Sequence, residues 1–271
     1  MLIADKTITI NDVLVRQYFL HKHNVNNIAL PPKRTKKLIG VTIHNTIDLP
    51  GVADDPEQYT RATVNGNMSS VRVHYYVDEL GAWQNLDTAY CNWTCTDGTG
   101  SGNMQTIAIE CIMDGTSGAN NLKARDNTAR LAAWLLYTNG LTADDLYTHT
   151  YWLHIRDGHK GTKRERMTRP HPYKTCPYYI IPDWDSFCDL VKKYFNALKS
   201  GFKSYKIRIK EDLNVRKNAG TNHPVVMVLH KNEVYTIIAE KQVGVIKWGK
   251  LKSGVGWVSL VDRYSDKIKE E

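Results

Sequence analysis

Two stretches of this chain carry residue types that could do chemistry together. Residues 38–46, Leu38-Ile39-Gly40-Val41-Thr42-Ile43-His44-Asn45-Thr46, read as an apolar strand that ends on His44. Residues 172–177 are a proline-bounded loop with Lys174 two positions before Cys176. Imidazole and thiolate are donors from which zinc sites are built. A third donor is offered by His149, at the end of the short strand pattern Leu146-Tyr147-Thr148-His149. Three protein ligands with an open fourth position is the catalytic form of a zinc site, whereas four ligands close it. Glu110 ends the run Gln105-Thr106-Ile107-Ala108-Ile109-Glu110, where a carboxylate is costly to bury without a task or a partner.

Those residues suit metal-assisted amide hydrolysis. Zinc lowers the pKa of water so that it can attack a carbonyl. Glu110 would take the water's proton and pass it to the leaving nitrogen. Lys174 would stabilise the oxyanion. Spacing alone is a weak signal, because the chain has 10 histidines, and a single histidine more often serves the surface or the core. His74, in an alternating strand, would orient a ligand, line the cleft or sit at the core edge. Trp83, Trp93, Tyr151 and Trp152 would stack on sugar or peptide, or fill the core. Cys91 and Cys95, with three residues between them, are a lone pair with no partner pair for a structural zinc.

The elements that must position these groups alternate strand and helix. Residues 1–37 form a lead-in, with weak helical spacing over 13–20 and a breaker and charge run over 30–37. A helix is expected from Asp54 to Asn67. Residues 71–78 and 82–86 make a hairpin around Glu79-Leu80-Gly81. A glycine-rich loop over 97–103 leads into the strand Thr106 to Met113. The clearest helix runs over 127–137, capped near Asp126 or Asn127. Residues 153–173 read as a long basic loop, and 184–195 as an amphipathic helix. After a linker at 199–204 come six short strand-like runs: 205–208, 213–216, 225–229, 234–240, 245–251 and 256–260. The expected fold is α/β, a mixed central sheet flanked by helices, followed by a small all-β barrel. The boundaries are 1–198, 199–204 and 205–271.

Composition bounds the partners. The 271 residues are 42% hydrophobic and 24% charged, enough for packed cores, and no window reaches transmembrane length. The start lacks a secretory pattern, so the expected location is the cytoplasm of the producing cell until something other than ordinary secretion releases the chain. Five cysteines, an odd number, argue against a disulfide framework. Net charge is +8, and residues 199–271 hold 15 Lys and Arg against 8 Asp and Glu. A basic tail on a nearly neutral body suits an anionic partner surface.

Residues 38 to 198 resemble the zinc-dependent N-acetylmuramoyl-L-alanine amidases of the type 2 family, which includes the peptidoglycan recognition proteins. Val41-Thr42-Ile43-His44-Asn45-Thr46 resembles its first zinc-ligand strand. Val73-His74-Tyr75-Tyr76-Val77-Asp78 with Gly81 resembles its His-Tyr strand and hairpin. Asn103-Met104-Gln105-Thr106-Ile107-Ala108-Ile109-Glu110 resembles the segment with the catalytic glutamate, and Lys174-Thr175-Cys176-Pro177 its Lys-x-Cys-Pro ending. The resemblance implies cleavage between the lactyl group of N-acetylmuramic acid and L-alanine. One departure stands out. The family's second ligand histidine lies about eight residues before the cysteine, where this chain has Thr168. An insertion over 153–173 would account for His149 as that ligand, with His154 and His171 as rivals. The insertion holds Arg156, Lys160, Lys163, Arg164, Arg166 and Arg169, either as a lip facing substrate or as a solvated loop.

Leu213-Asn214-Val215-Arg216 and Gly254-Val255-Gly256-Trp257-Val258 resemble the opening and ending of a bacterial SH3 domain. Such domains commonly bind wall peptide or glycopeptide. Together the resemblances imply a phage or prophage endolysin that engages Gram-positive peptidoglycan through both domains, with Zn2+ as cofactor and neither nucleic acid nor membrane insertion involved. The rivals are a peptidoglycan-recognition module without activity, against which Cys176 and Glu110 argue, and a cysteine peptidase with Cys176 as nucleophile.

Overall fold

The structure, a computed structural model, describes residues 1–47, 55–113 and 118–268. The chain divides into two compact units, Met1–Phe195 and Asn196–Glu271. No described helix is long and apolar enough to cross a membrane.

The first unit is built on strands β1 (Lys6–Ile10), β2 (Val13–Gln17), β3 (Gly40–Ile47), β4 (Tyr75–Val77), β5 (Ala82–Gln84), β6 (Thr106–Met113) and β7 (Leu146–Thr148). Its helices are α1 (Pro56–Val64), α2 (Ser101–Gln105), α3 (Ala119–Thr138), α4 (His149–Arg156), α5 (Lys163–Thr168) and α6 (Trp184–Lys199), the last of which runs into the second unit. The sheet order is β1-β2-β5-β4-β6-β3-β7. Its centre is parallel: β4 with β6, β6 with β3, and β3 with β7. Parallel strands buried on both faces need continuous apolar runs, and β3 and β6 supply them, with Val41, Ile43, Ile107, Ala108 and Ile109 fully buried.

The two sheet faces carry different tasks. Val73, Tyr76, Ala108 and Ile112 pack together with Tyr59 of α1 on one face. Alternation puts Cys111 on the other face, toward Thr128 of α3. Small side chains (Ala124, Ala129, Ala132, Ala133) let α3 lie close to the strands. Helix α6 buries Trp184, Phe187, Val191 and Tyr194, a single stripe at helical spacing. Tyr194 donates to Asp126, and the Arg130 guanidinium lies 4.1 Å over its ring.

Several expectations change here. Residues 13–20 are not helical. Residues 13–17 belong to a β1–β2 hairpin whose turn residues Asn11 and Asp12 both take positive φ, at 48° and 65°. That is the turn geometry that matches the twist of paired strands, and Val13 and Val15 point inward while Leu14 does not. The helix expected from Asp54 is α1, capped by Asp55; Asp54 itself lies outside the described residues. Helix α3 starts eight residues before the expected 127, so Asp126 and Asn127 are interior rather than caps. Asn127 instead donates to the carbonyls of Asp78 and Glu79 in the β4–β5 turn. Residues 153–173 are not a loop: they contain the end of α4 and all of α5, whose start is a reciprocal Thr162–Glu165 capping box.

The second unit is an antiparallel sheet of β8 (Tyr205–Ile209), β9 (Leu213–Arg216), β10 (Val225–Leu229), β11 (Val234–Val243), β12 (Ile246–Leu251), β13 (Trp257–Ser259) and β14 (Ser265–Lys267), in the order β10-β9-β13-β12-β11-β8-β14. Its core is Ile207, Ile209, Leu213, Val215, Leu229, Ile237, Leu251 and Val258. The last strand, β14, is polar and has no apolar signature in the sequence; it forms by pairing with β8.

Candidate metal centre and active site

The site arises from strand register. In the parallel pair β3–β6, His44 is the partner of Glu110, and residues in register on neighbouring strands share a face. On β7, Thr148 is the partner of Ile43, which brings the next residue, His149, beside His44. Thr148 caps α4 by accepting from the Tyr151 N–H, so His149 sits in the first turn of a helix rather than in a strand. Thr150 then fastens the distant cysteine loop. Its amide and hydroxyl donate to the Cys176 carbonyl, each at 3.0 Å, and its hydroxyl accepts the Cys176 N–H at 2.7 Å. Asn45 steadies the far side of that loop by accepting from the Tyr179 N–H.

His44, His149 and Cys176 are buried, and one ligand atom from each lies within 4.8 Å of the others. His44 Nδ1 is 3.9 Å from Cys176 Sγ and 3.8 Å from Glu110 Oε1. The two imidazole rings are 4.9 Å apart between centroids. Glu110 keeps 14% of its side chain exposed and Lys174 is exposed, so carboxylate and ammonium face the side from which a substrate can enter.

A loop that sequence reasoning passed over orients His44. Asn92, fully buried, donates its amide to the carbonyls of Gly102, Asn103 and Thr106. Three acceptors around the NH2 leave its Oδ1 as acceptor for the Thr94 hydroxyl, at 2.5 Å. With its proton committed there, Thr94 Oγ1 accepts from His44 Nε2–H at 3.1 Å. His44 is thereby held with Nδ1 unprotonated and turned toward Cys176 and Glu110. Asn103 Oδ1 accepts from the amides of Thr94 and Cys95 and holds this loop in place. Gly102 has no room for a side chain: a Cβ there would lie 2.6 Å from Trp152 Cγ and 2.7 Å from Cys95 Cβ. The sequence signal was Asn92, Thr94 and Asn103 around a glycine-rich stretch, ordinary polar residues by type.

The electrostatics fit a cation. Burial pulls His44 well below the ordinary imidazole range, helped by His149 and Lys174. Burial likewise brings His149 to about 3 and pushes the Cys176 thiol up to about 12. Two neutral imidazoles and a proton-loaded buried thiol have no counter-charge of their own, and a cation at their centre replaces the thiol proton. His149 Nε2 is 3.3 Å from Thr96 Oγ1, while its Nδ1 is buried with no hydrogen-bond partner, an orphaned nitrogen that a metal would satisfy. Two nitrogens and one sulfur are donors that zinc takes, and the residues present fit it. Burial raises Glu110 to about 7, and Lys174 acts against that.

The remaining candidates sit elsewhere. His154 and His171 are not near His44; with His159 they make a separate cluster. His74 is a core residue, its Nδ1 accepting the Ala108 N–H and its Nε2 bonded to the Tyr90 carbonyl. Trp83 and Trp152 are buried, and Trp152 donates to Thr42 beneath the site. Trp93 lines a cleft of about 650 Å³ with Val71, Thr94, Thr96 and Met104, next to the residues that touch the two histidines. Cys91 and Cys95 belong to no metal-holding group among the described residues, and all five cysteines are free.

Comparison with known proteins gives consistent matches. The family Amidase_2, described as N-acetylmuramoyl-L-alanine amidase, matches residues 34–178. The N-acetylmuramoyl-L-alanine amidase XlyA of Bacillus subtilis (strain 168) is 28% identical over 147 residues, 54% of this chain and 42% of that protein. XlyB of the same organism is 26% identical over 180 residues, 65% of this chain and 49% of that protein. The chain thus spans less than half the length of these curated relatives. Among solved structures, the catalytic domain of XlyA aligns at TM-score 0.51 with 22% identity, over 65% of this chain and 98% of that one. A mutant endolysin from Bacillus subtilis aligns at TM-score 0.52 with 25% identity, over 66% of this chain and 99% of that one.

Proposed function

The chain belongs to the N-acetylmuramoyl-L-alanine amidase family, and from that premise we propose that it is a peptidoglycan hydrolase. It cuts the amide between the lactyl group of N-acetylmuramic acid and L-alanine. The observation that carries the reading is the buried His44, His149 and Cys176 donor set with Glu110 in register beside His44.

In this reading His44, His149 and Cys176 hold zinc. Bound there, zinc supplies Lewis acidity, making water nucleophilic at neutral pH and polarising the scissile carbonyl. The chain's own groups do the rest. Glu110, whose carboxyl titrates near neutrality, takes the proton of the attacking water and returns it to the departing alanine nitrogen. Lys174 offsets the negative charge that builds on the carbonyl oxygen. Thr94 keeps His44 in the tautomer whose Nδ1 faces the site. The cleft beside Trp93 takes the flanking peptide or sugar.

The second unit acts as an SH3-like wall-binding domain, supported by its Leu213-Asn214-Val215-Arg216 and Gly-x-Gly-Trp-Val stretches and by the excess of Lys and Arg over 199–271. Its basic surface suits the anionic polymers of a Gram-positive wall. The division into an amidase domain over 1–198, a linker over 199–204 and this domain over 205–271 is part of the proposal. So is the biological setting: a phage or prophage endolysin, held in the producing cell until lysis and then acting on the wall.

Purified Gram-positive peptidoglycan tests the reading. Wild-type chain should release new L-alanine amino termini, and Glu110→Ala should not. Chelation should abolish release and zinc restore it. Walls bound but never cut by the wild-type chain would replace the hydrolase with a recognition module.

A further inference from the structure

The stretch over 153–173 holds three histidines whose rings turn toward one another. His154 lies in α4, His159 just beyond it, and His171 ahead of the Cys176 loop. One nitrogen from each lies within 4.8 Å of the others, with His154 and His171 buried and His159 half-buried. His154 Nε2 donates to the Arg169 carbonyl at 3.0 Å, because a carbonyl can only accept. Its Nδ1 is therefore a lone pair, and His159 Nδ1 faces it at 2.8 Å. His171 Nε2 is buried and makes no hydrogen bond, although Asp157 Oδ2 lies 3.1 Å away.

We propose that His154, His159 and His171, completed by the carboxylate of Asp157, form a second zinc site, structural in kind.

The geometry is close to what zinc needs. Tetrahedral zinc with bonds of about 2.0–2.1 Å sets its ligand atoms about 3.3 Å apart. The His154–His159 contact, at 2.8 Å, reaches that spacing with a small shift, and Asp157, 3.1 Å from His171, must turn from Arg156, which holds both its oxygens, to meet all three imidazoles. Four protein ligands leave no open position, the mark of a structural site rather than a catalytic one. The Arg169 carbonyl on His154 Nε2 is the outer partner that orients a ligating imidazole.

Protons balance as follows. His159 moves to Nε2 the proton that its Nδ1 donates to His154 without metal, and so stays neutral. His171 moves its proton from Nε2 to Nδ1 and gives up the Tyr173 N–H that Nδ1 accepts at 3.1 Å. His171 Nδ1 accepts the Tyr173 N–H, so this ring is neutral, as a ligand must be. Both Asp157 oxygens accept from the Arg156 guanidinium, the arrangement of an ionised carboxylate. A metal here clips the end of α4 to the stretch leading into Lys174 and Cys176, with α5 between them. It braces the helix that presents His149 and the loop that presents Cys176.

Zinc content of the dialysed full chain is the test. Cys176→Ala removes a ligand from the first centre, so zinc that stays reports the second. That variant should keep one equivalent, and Cys176→Ala with His159→Gln should keep less than a tenth of one. Asp157→Asn in the same background should lose zinc to a chelator at least tenfold more readily, and covers the case in which His159→Gln does not fold. Cobalt in Cys176→Ala should lack thiolate charge-transfer absorption. A folded Cys176→Ala chain without zinc overturns the proposal, as does full retention in both further variants. If the His44 centre took no zinc at all, wild type and Cys176→Ala would hold the same single equivalent, so the two readings fail separately.

Discussion

Thr94→Val isolates the contact that sets the His44 tautomer. Valine keeps the branched shape of a side chain that is 8% exposed, and removes only the hydroxyl between Asn92 Oδ1 and His44 Nε2. Without metal the ring has an escape. The proton can move to Nδ1, which lies 3.8 Å from the Glu110 carboxylate, while Nε2 accepts weakly from the Cys95 thiol at 3.9 Å. Metal binding through Nδ1 forbids that escape and leaves a buried Nε2–H facing the weakly accepting Cys95 sulfur at 3.9 Å. An unsatisfied buried donor costs about 1–3 kcal/mol, and loss of an outer partner typically weakens metal affinity about 10–100-fold. These agree, since a factor of 10 corresponds to about 1.4 kcal/mol. Thr94→Val should therefore bind zinc about 10–100-fold more weakly in competition with a chromophoric chelator, with the apo chain nearly as stable as wild type. Thr94→Ser, which keeps the hydroxyl, should bind almost normally. Zinc affinity within twofold of wild type in Thr94→Val, when Cys176→Ala lowers it, would refute the tautomer argument. Making both substitutions in a His159→Gln background keeps the two sites apart.

Three further outcomes are expected. Lys174→Met should move the acidic limb of the kcat/KM profile to higher pH: burial raises the Glu110 carboxyl to about 7 and Lys174 opposes that, so without the ammonium the base is protonated at higher pH still; an unmoved limb, or one shifted to lower pH, contradicts the assignment of Glu110 as base. Arg130→Met should cost about 2–3 kcal/mol, below the usual range for a broken buried pair because Asp12 and Asp126 are partly exposed, and should lower the calorimetric Tm by roughly 5–10 °C. Gly102→Ala should destabilise by about 1–3 kcal/mol through overpacking against Trp152 and Cys95, measured by denaturant unfolding, with metal affinity falling as the Thr94 loop shifts.

Much of the first unit was legible because its strands are strong local signals. The strand over 106–113 is found where its apolar run and closing Glu110 put it, and His44, His149, Cys176, Glu110 and Lys174 all converge. The β1–β2 hairpin was misread because Val13, Leu14 and Val15 fit either period over so short a run, and the deciding fact, positive φ at Asn11 and Asp12, is a backbone property. The early start of α3 was missed because Asn127, a residue type that often caps helices, is used from the helix interior to hold a turn 49 residues away. Helices α4 and α5 were hidden by charge density: Lys163, Arg164 and Arg166 read as a solvated loop, although Thr162 and Glu165 three residues apart are a helix start.

The amino-acid sequence by itself determined which groups were available for chemistry and which strands would carry them, because residue type and apolar periodicity are local. Tertiary structure alone decided which histidine joins His44 and Cys176, and that the other three meet elsewhere. It also decided that Thr94 and Asn92 set the state of the His44 ring. Those choices depend on parallel register between β3, β6 and β7, and on hydrogen bonds that span 50 residues from Thr94 to His44 and 26 from Thr150 to Cys176. No local pattern encodes such distances; they are fixed when the sheet forms and the buried polar groups must all find partners.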